Sequence, residues 1–208
     1  MKQVAIVTNG NFPQSLLSEI KKFPFIIGVD RAGFTLIKHG LKPDLVTGDM
    51  DSVSGRQLRE IKKHSLIKLF NKDKDYTDTE LAICEAIKKG YKKATLYGVI
   101  GTRLDHQLAT IFLLEKYLKK IQLLIRDEKN EMEIADKKRE YIKSGRHPFI
   151  SFLSLTGSSV ISLFGFKYPL FKKKIFRGDT LCISNEIVSQ EAKIIVYEGK
   201  VLIVRSKD

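Results

Sequence analysis

Six aspartates recur where a short apolar run gives way to a loop or a helix. Asp30 follows Phe25-Ile26-Ile27-Gly28-Val29, and Asp49 and Asp51 follow Asp44-Leu45-Val46-Thr47. Asp75 and Asp78 stand just ahead of a strongly helical stretch, and Asp105 lies shortly after the apolar run 94–97. Carboxylates brought to one edge repel each other unless a cation neutralises them. Hard oxygen ligands select Mg²⁺ or Mn²⁺ over zinc, and Mg²⁺ completes its shell with water and substrate phosphates. The pattern therefore points to metal-assisted phosphoryl chemistry on a nucleotide. Neither a GxxxxGK[ST] loop nor a GxGxxG fingerprint occurs, which excludes the standard P-loop arrangement. Any one of these acids also reads as a turn former or a helix cap. Thr77 is at least an N-cap, and Asp78 suits the positive end of a helix dipole. Repetition at several strand ends is what argues for a site.

The elements that must position these residues alternate. Strands are expected at 4–8, 25–29, 44–47, 66–69, 94–97 and 121–125, with helices at 32–39, 54–63, 77–89 and 104–118. Thr77 and Glu80 read as a capping-box pair at the head of the third helix, and Gly90 stops that helix. Strand–helix alternation implies a mostly parallel sheet, whose ligands lie beyond the carboxyl ends of the strands. After residue 126 helical periodicity fades. Short β-type runs follow at 132–135, 139–142, 149–154, 159–164, 181–184, 187–189, 192–197 and 201–205, with Glu198-Gly199-Lys200 read as a hairpin turn joining the last two. The expected fold is thus a Rossmann-like α/β/α domain over 1–126 and an antiparallel β-sandwich over 127–208.

With 208 residues, 43% hydrophobic and 29% charged, the chain has an ordinary globular composition. Its formal charge of +13 is spread along the sequence, as expected of a Lys-rich solvated surface, and Lys172-Lys173-Lys174 reads as a solvated loop. Cys84 and Cys182 sit among apolar residues and read as buried free thiols of a reducing cytoplasm. The opening MKQVAIVTNGNFP is too short in apolar residues for a signal peptide, and no stretch of about 18 apolar residues suggests a membrane span. Neither a nucleic-acid nor a membrane partner is expected.

Four segments carry a resemblance to a known family. Gly48-Asp49-Met50-Asp51-Ser52, preceded by Pro43-Asp44-Leu45-Val46, resembles the GDxDS motif of thiamine pyrophosphokinases. Lys74-Asp75-Tyr76-Thr77-Asp78-Thr79-Glu80-Leu81-Ala82 resembles their KDxTDxxxA segment, and Gly98-Val99-Ile100-Gly101-Thr102-Arg103-Leu104-Asp105-His106 their G-x-x-G-x-R-x-D-H segment. Ser184-Asn185-Glu186, after Leu163-Phe164-Gly165-Phe166-Lys167-Tyr168-Pro169-Leu170, resembles their SNE motif. One such motif is weak; four in order on this layout are strong. The chain departs from the family at Arg31-Ala32-Gly33, at Thr102 and in having no Trp.

The resemblance implies a homodimeric ATP:thiamine pyrophosphotransferase that uses Mg²⁺ and releases AMP. Asp49, Asp51, Asp75 and Asp78 would be the catalytic and metal-binding acids. Asp30, Thr77 and Arg103 would serve ATP. Asp105, His106, Ser184 and Asn185 would serve thiamine, the last two across the dimer. Two rivals remain open from the sequence: a pyrophosphokinase acting on a pterin alcohol, and a non-enzymatic RNA-binding protein whose acids are only caps.

Overall fold

The computed structural model describes residues 2–12, 14–71, 75–142 and 146–208, with the side chain of residue 142 left aside. Two compact units divide the chain, Met1–Glu128 and Lys129–Asp208.

Among the described residues, the first unit runs β1 (Gln3–Val7), a 3-10 turn (Gln14–Leu16) into the short α1 (Leu17–Ile20), β2 (Ile26–Val29), α2 (Arg31–Lys38), β3 (Leu45–Gly48), α3 (Gly55–His64), β4 (Leu66–Leu69), α4 (Asp78–Lys88), β5 (Lys93–Tyr97), α5 (Leu104–Lys116) and β6 (Gln122–Arg126). The strands are parallel in the order β6-β5-β1-β2-β3-β4. Strands β2 and β3 are buried throughout, as is β1 from Val4 onward, as continuous apolar runs covered on both faces require. Edge strand β4 instead exposes Leu66 and Leu69.

This order fixes where a ligand can enter. From β1 the chain moves outward through β2, β3 and β4, then returns to place β5 on the other side of β1. The order therefore reverses between β1 and β5, and open α/β sheets bind ligands in the crevice at that point. Register holds the two exits level, with Val7 opposite Tyr97. Beyond them, Gly10 N–H donates to Gly98 O at 2.7 Å and Asn11 N–H to Ile100 O at 2.7 Å. Gly98 has φ +68, and a side chain there would overlap the Thr8 carbonyl. Glycine is what lets the two loops lie this close.

The capping box falls elsewhere than expected. Thr77 Oγ1 accepts from Glu80 N–H at 3.2 Å, but the reciprocal box forms at α3, between Ser54 and Gln57. The Glu80 carboxylate is buried and turns to α5 instead. Cys84 and Cys182 are both free, with Cys84 half-buried rather than buried.

The second unit contains β7 (Asn130–Ala135), β8 (Arg139–Ile142), β9 (Phe149–Ser154), β10 (Ser158–Phe164), β11 (Leu170–Phe176), β12 (Asn185–Glu186), β13 (Glu191–Glu198) and β14 (Val201–Ser206). Antiparallel pairing gives two sets, β12-β9-β14-β7 and β11-β10-β13-β8. Phe152, Ile150 and Ile203 from the first set and Ile161, Leu163 and Ile194 from the second fill one core. Phe152 meets Phe166 edge-on, with ring centroids 5.3 Å apart.

Four sequence expectations are corrected in this unit. Glu198-Gly199-Lys200 does not join paired strands: β13 pairs with β10 and β8, whereas β14 pairs with β7 and β9. The turn carries the chain from one sheet to the other. Lys172-Lys173-Lys174 lies within β11, an edge strand whose exposed side chains hid its β character. Residues 181–184 form turns instead of a strand, and Ile187 makes only an isolated bridge with Phe166.

Candidate active site

A cavity of about 500 Å³ opens in the first unit at the predicted crevice. Its lining comes from the loop after β1 (Thr8, Asn9, Gly10), the segment after β3 (Asp49, Asp51, Ser52), the head of α4 (Thr77, Asp78, Thr79) and the approach to α5 (Gly98, Gly101, Arg103, His106), with Asp30 at its floor.

Asp30, Asp49 and Asp78 converge, each offering a carboxylate oxygen within 4.8 Å of the others. Local chain geometry places all three. Asp30 ends β2 in an unusual conformation, φ 49 and ψ −123, with its N–H bonded to Thr47 O at 2.8 Å. Gly48 has φ +146, and a side chain at Gly48 would overlap Asp30 Oδ1, so the carboxylate fills space that glycine leaves open. Met50, at φ 61, donates its N–H to Asp30 Oδ1 at 3.2 Å, and Asp51 N–H donates to Asp49 Oδ1 at 3.0 Å. The segment thus folds back on itself and presents Asp49 beside Asp30. Asp78 arrives from another element, the first turn of α4, whose positive end faces the cavity through Thr77, Asp78 and Thr79.

Burial, with the nearby charges of Asp78, Asp49 and Asp51, pushes the Asp30 carboxyl up to about 7, against the lowering effect of the Met50 N–H bond. Three acids at this separation suit a hard divalent cation, whose charge would offset their mutual repulsion and favour the ionised Asp30. A helix head beside them suits phosphate oxygens.

The remaining expected residues fall differently. Asp51 is exposed and lines the cavity without joining the three-acid cluster; Asp75 is exposed and does not line it. Lys74, the first residue of the KDxTD-like segment, lies outside the described residues. Arg103 and His106 line the cavity, whereas Asp105 is exposed and turned to Arg103, whose Nε lies 3.2 Å from Asp105 Oδ1. That bond holds the Asp105 carboxyl below the usual carboxylate range. In the second unit, Ser184 has φ 55 and its N–H bonds Ser151 Oγ at 3.0 Å. Asn185 is buried, accepting from Tyr168 N–H at 3.0 Å and donating to Tyr168 O at 2.9 Å, so its amide braces the turn that carries the exposed Tyr168.

Thr8, Asn9 and Gly10 were missed as lining residues. Their signal was available: Asn9-Gly10 follows the first buried strand, and strand ends at a reversal bind ligands. Gln107, which donates through Nε2 to Gly101 O at 2.5 Å and so steadies the loop before Arg103, carried no signal in sequence.

Known proteins align with both units. The model described as "Thiamin pyrophosphokinase, catalytic domain" matches residues 16–125, and that described as "Thiamin pyrophosphokinase, vitamin B1 binding domain" matches residues 132–201. Thiamine pyrophosphokinase of Bacillus subtilis is 32% identical over 216 residues, covering 100% of both chains. A crystal structure of thiamine pyrophosphokinase from Bacillus subtilis superimposes with a TM-score of 0.92 at 31% identity, covering 100% of both chains. One from Geobacillus thermodenitrificans gives 0.89 at 29% identity, over 99% of this chain and 98% of the other. With both halves matched in order and relatives aligned end to end, the chain belongs to the thiamin pyrophosphokinase family.

Proposed function

We infer that the chain transfers the pyrophosphoryl group of ATP to the hydroxyl of thiamine, giving thiamine diphosphate and AMP. The observation that carries this is the Asp30–Asp49–Asp78 cluster beside a helix head at the sheet reversal, in a chain of this family. The hydroxyl oxygen bonds to the β-phosphorus, the bond from that phosphorus to the α-phosphate oxygen breaks, and the hydroxyl proton passes to a carboxylate. Bound Mg²⁺ would neutralise charge developing on the leaving α-phosphate and the transferring group.

Asp30, Asp49 and Asp78 would hold the cation, with Asp51 on the cavity wall adding negative charge nearby. Thr77 and the first N–H groups of α4 would orient phosphate oxygens, and Arg103 would bind the triphosphate or brace its loop. Asp105 and His106 would meet thiamine from the first unit, and Ser184 and Asn185 from the second unit of a partner copy. A homodimer is part of this reading. It is supported by Leu104, Leu108 and Phe112, exposed at four-residue spacing along α5 and thus on one face of that helix. Function in the cytoplasm, with its ATP and reducing conditions, suits the two free thiols. No helix among the described residues is long and apolar enough to cross a membrane.

The rival readings, a pterin alcohol as acceptor or an RNA-binding protein, draw no support from these matches. Incubation with ATP, Mg²⁺ and thiamine tests the assignment. AMP and thiamine diphosphate in equal amounts, both lost with EDTA, are expected. ADP would mean an ordinary kinase, and product formed only with a pterin alcohol would move the acceptor.

A further inference from the structure

Asp78 belongs to the acid cluster, yet the chain just before it is an exposed loop. Something has to hold the head of α4. Glu80, in the first turn of the helix, has a side chain only 8% exposed. Its backbone N–H bonds the Thr77 cap, and its carboxylate points away from the cavity to the end of α5. There Tyr117 Oη donates to Glu80 Oε1 at 2.7 Å, and Lys116 Nζ lies 2.5 Å from the same oxygen. Lys116 also stands 5.3 Å from the centroid of the Tyr76 ring, the residue before Thr77. One ammonium therefore links a buried carboxylate inside α4 to the loop outside it.

We propose that Glu80 and Lys116 are positioning residues: Glu80 fixes the Lys116 ammonium beneath Tyr76, and this clamp on both sides of Thr77 sets Asp78 within reach of Asp30 and Asp49. The clamp deepens the reading of the cavity as a divalent-cation site and rests on it. It also explains why an acid two residues from Asp78 does not add to the repulsion in the cluster. Its charge is neutralised by Lys116 and directed to the opposite side of the helix. Polar groups that orient a metal's ligands commonly change affinity by about 10–100-fold when removed.

Mn²⁺ binding to the purified full chain, followed by the loss of free-ion paramagnetic resonance signal, tests this without turnover. Lys116→Met is expected to weaken Mn²⁺ about tenfold, while Lys116→Arg, which keeps the cation, stays within about twofold of the parent. Tyr76→Leu changes a half-exposed ring and leaves the buried pair intact; a loss of about threefold is expected from removing one exposed cation–π contact. The melting temperature of Tyr76→Leu should match the parent, so its affinity change does not report unfolding. Parent-like Mn²⁺ affinity in Lys116→Met and Tyr76→Leu overturns the clamp. Equal weakening by Met and Arg at position 116 also overturns it, because shape and not charge would then matter. If the parent itself binds no Mn²⁺, the cation-site reading fails first, and the clamp with it.

Discussion

The Asp30 carboxylate occupies the space that a side chain at residue 48 would fill, and Gly48 is held at φ +146 beside it. Strand β3 can therefore end only in glycine if Asp30 is to face the cavity. Gly48→Ala is expected to abolish Mg²⁺-induced stabilisation and to lower stability by about 1–3 kcal/mol, the usual cost of forcing extra volume into a packed site. Thermal melts with and without Mg²⁺ check both. A variant that keeps the full Mg²⁺ shift would show that the Asp30 position is not set by Gly48.

Burial makes Asp30 a source of pH dependence. Its folded value near 7 lies above the ordinary 3.8, so between these values the native state holds a proton that the unfolded chain has released. Stability of the cation-free protein must then fall as pH rises through that window, by up to about 4 kcal/mol from this group. Asp30→Asn removes the slope. In EDTA the variant should melt above the parent at pH 8 and by a clearly smaller margin at pH 5, where only part of the window has been crossed. With Mg²⁺ the order reverses, because the parent gains a ligand that the variant lacks. Melting curves across pH 5–8 decide, and an unchanged slope in the variant would remove Asp30 as its source.

Asp49→Asn keeps size and removes one charge of the three-acid cluster. Turnover, followed as AMP release, should drop at least about 100-fold, the scale of losing one electrostatic stabiliser of a transition state. The melting profile in EDTA should stay intact or rise, since repulsion in the cluster is reduced. Near-normal turnover would place the cation elsewhere.

Asp105 and Arg103 form an ion pair whose side chains are 62% and 68% exposed. Such pairs contribute about 0–1 kcal/mol, so Asp105→Asn should leave the melting temperature nearly unchanged. If Asp105 swings from Arg103 to thiamine, KM for thiamine rises at least about tenfold, the equivalent of one charge-assisted hydrogen bond, with a smaller change in kcat. Unaltered KM would leave Asp105 as a partner of Arg103 alone.

Much of the first unit was legible because its signals are local. Continuous apolar runs marked β1, β2 and β3, and Thr77 and Gly90 marked the ends of α4. That acids near strand ends gather at one edge was legible, but not that Asp30 joins Asp49 and Asp78 in place of Asp51 and Asp75, nor that Asp75 and Asp105 stay out of the cavity lining. Those depend on the loop before α4 and on a side chain choosing Arg103, neither of which has a periodic signature. Glu80 was misplaced as a box partner of Thr77 because spacing reports only sequence neighbours, while Tyr117 lies 37 residues away. In the second unit β11 was missed because an edge strand with one solvated face carries few apolar positions. The turn at Gly199 looked like a hairpin because a sheet change and a hairpin need the same local chemistry.

The crossing at Gly199 has a consequence for synthesis on the ribosome. It delivers β14 into a gap between β7 and β9, which are 14 residues apart from the end of one to the start of the other and precede it by a long stretch of chain. Until residues 201–206 leave the exit tunnel, β7 and β9 each present an unsatisfied edge facing the other, with half a core between them. The nascent second unit therefore waits, open and prone to pairing with foreign strands, for the latest of its strands to emerge and close it.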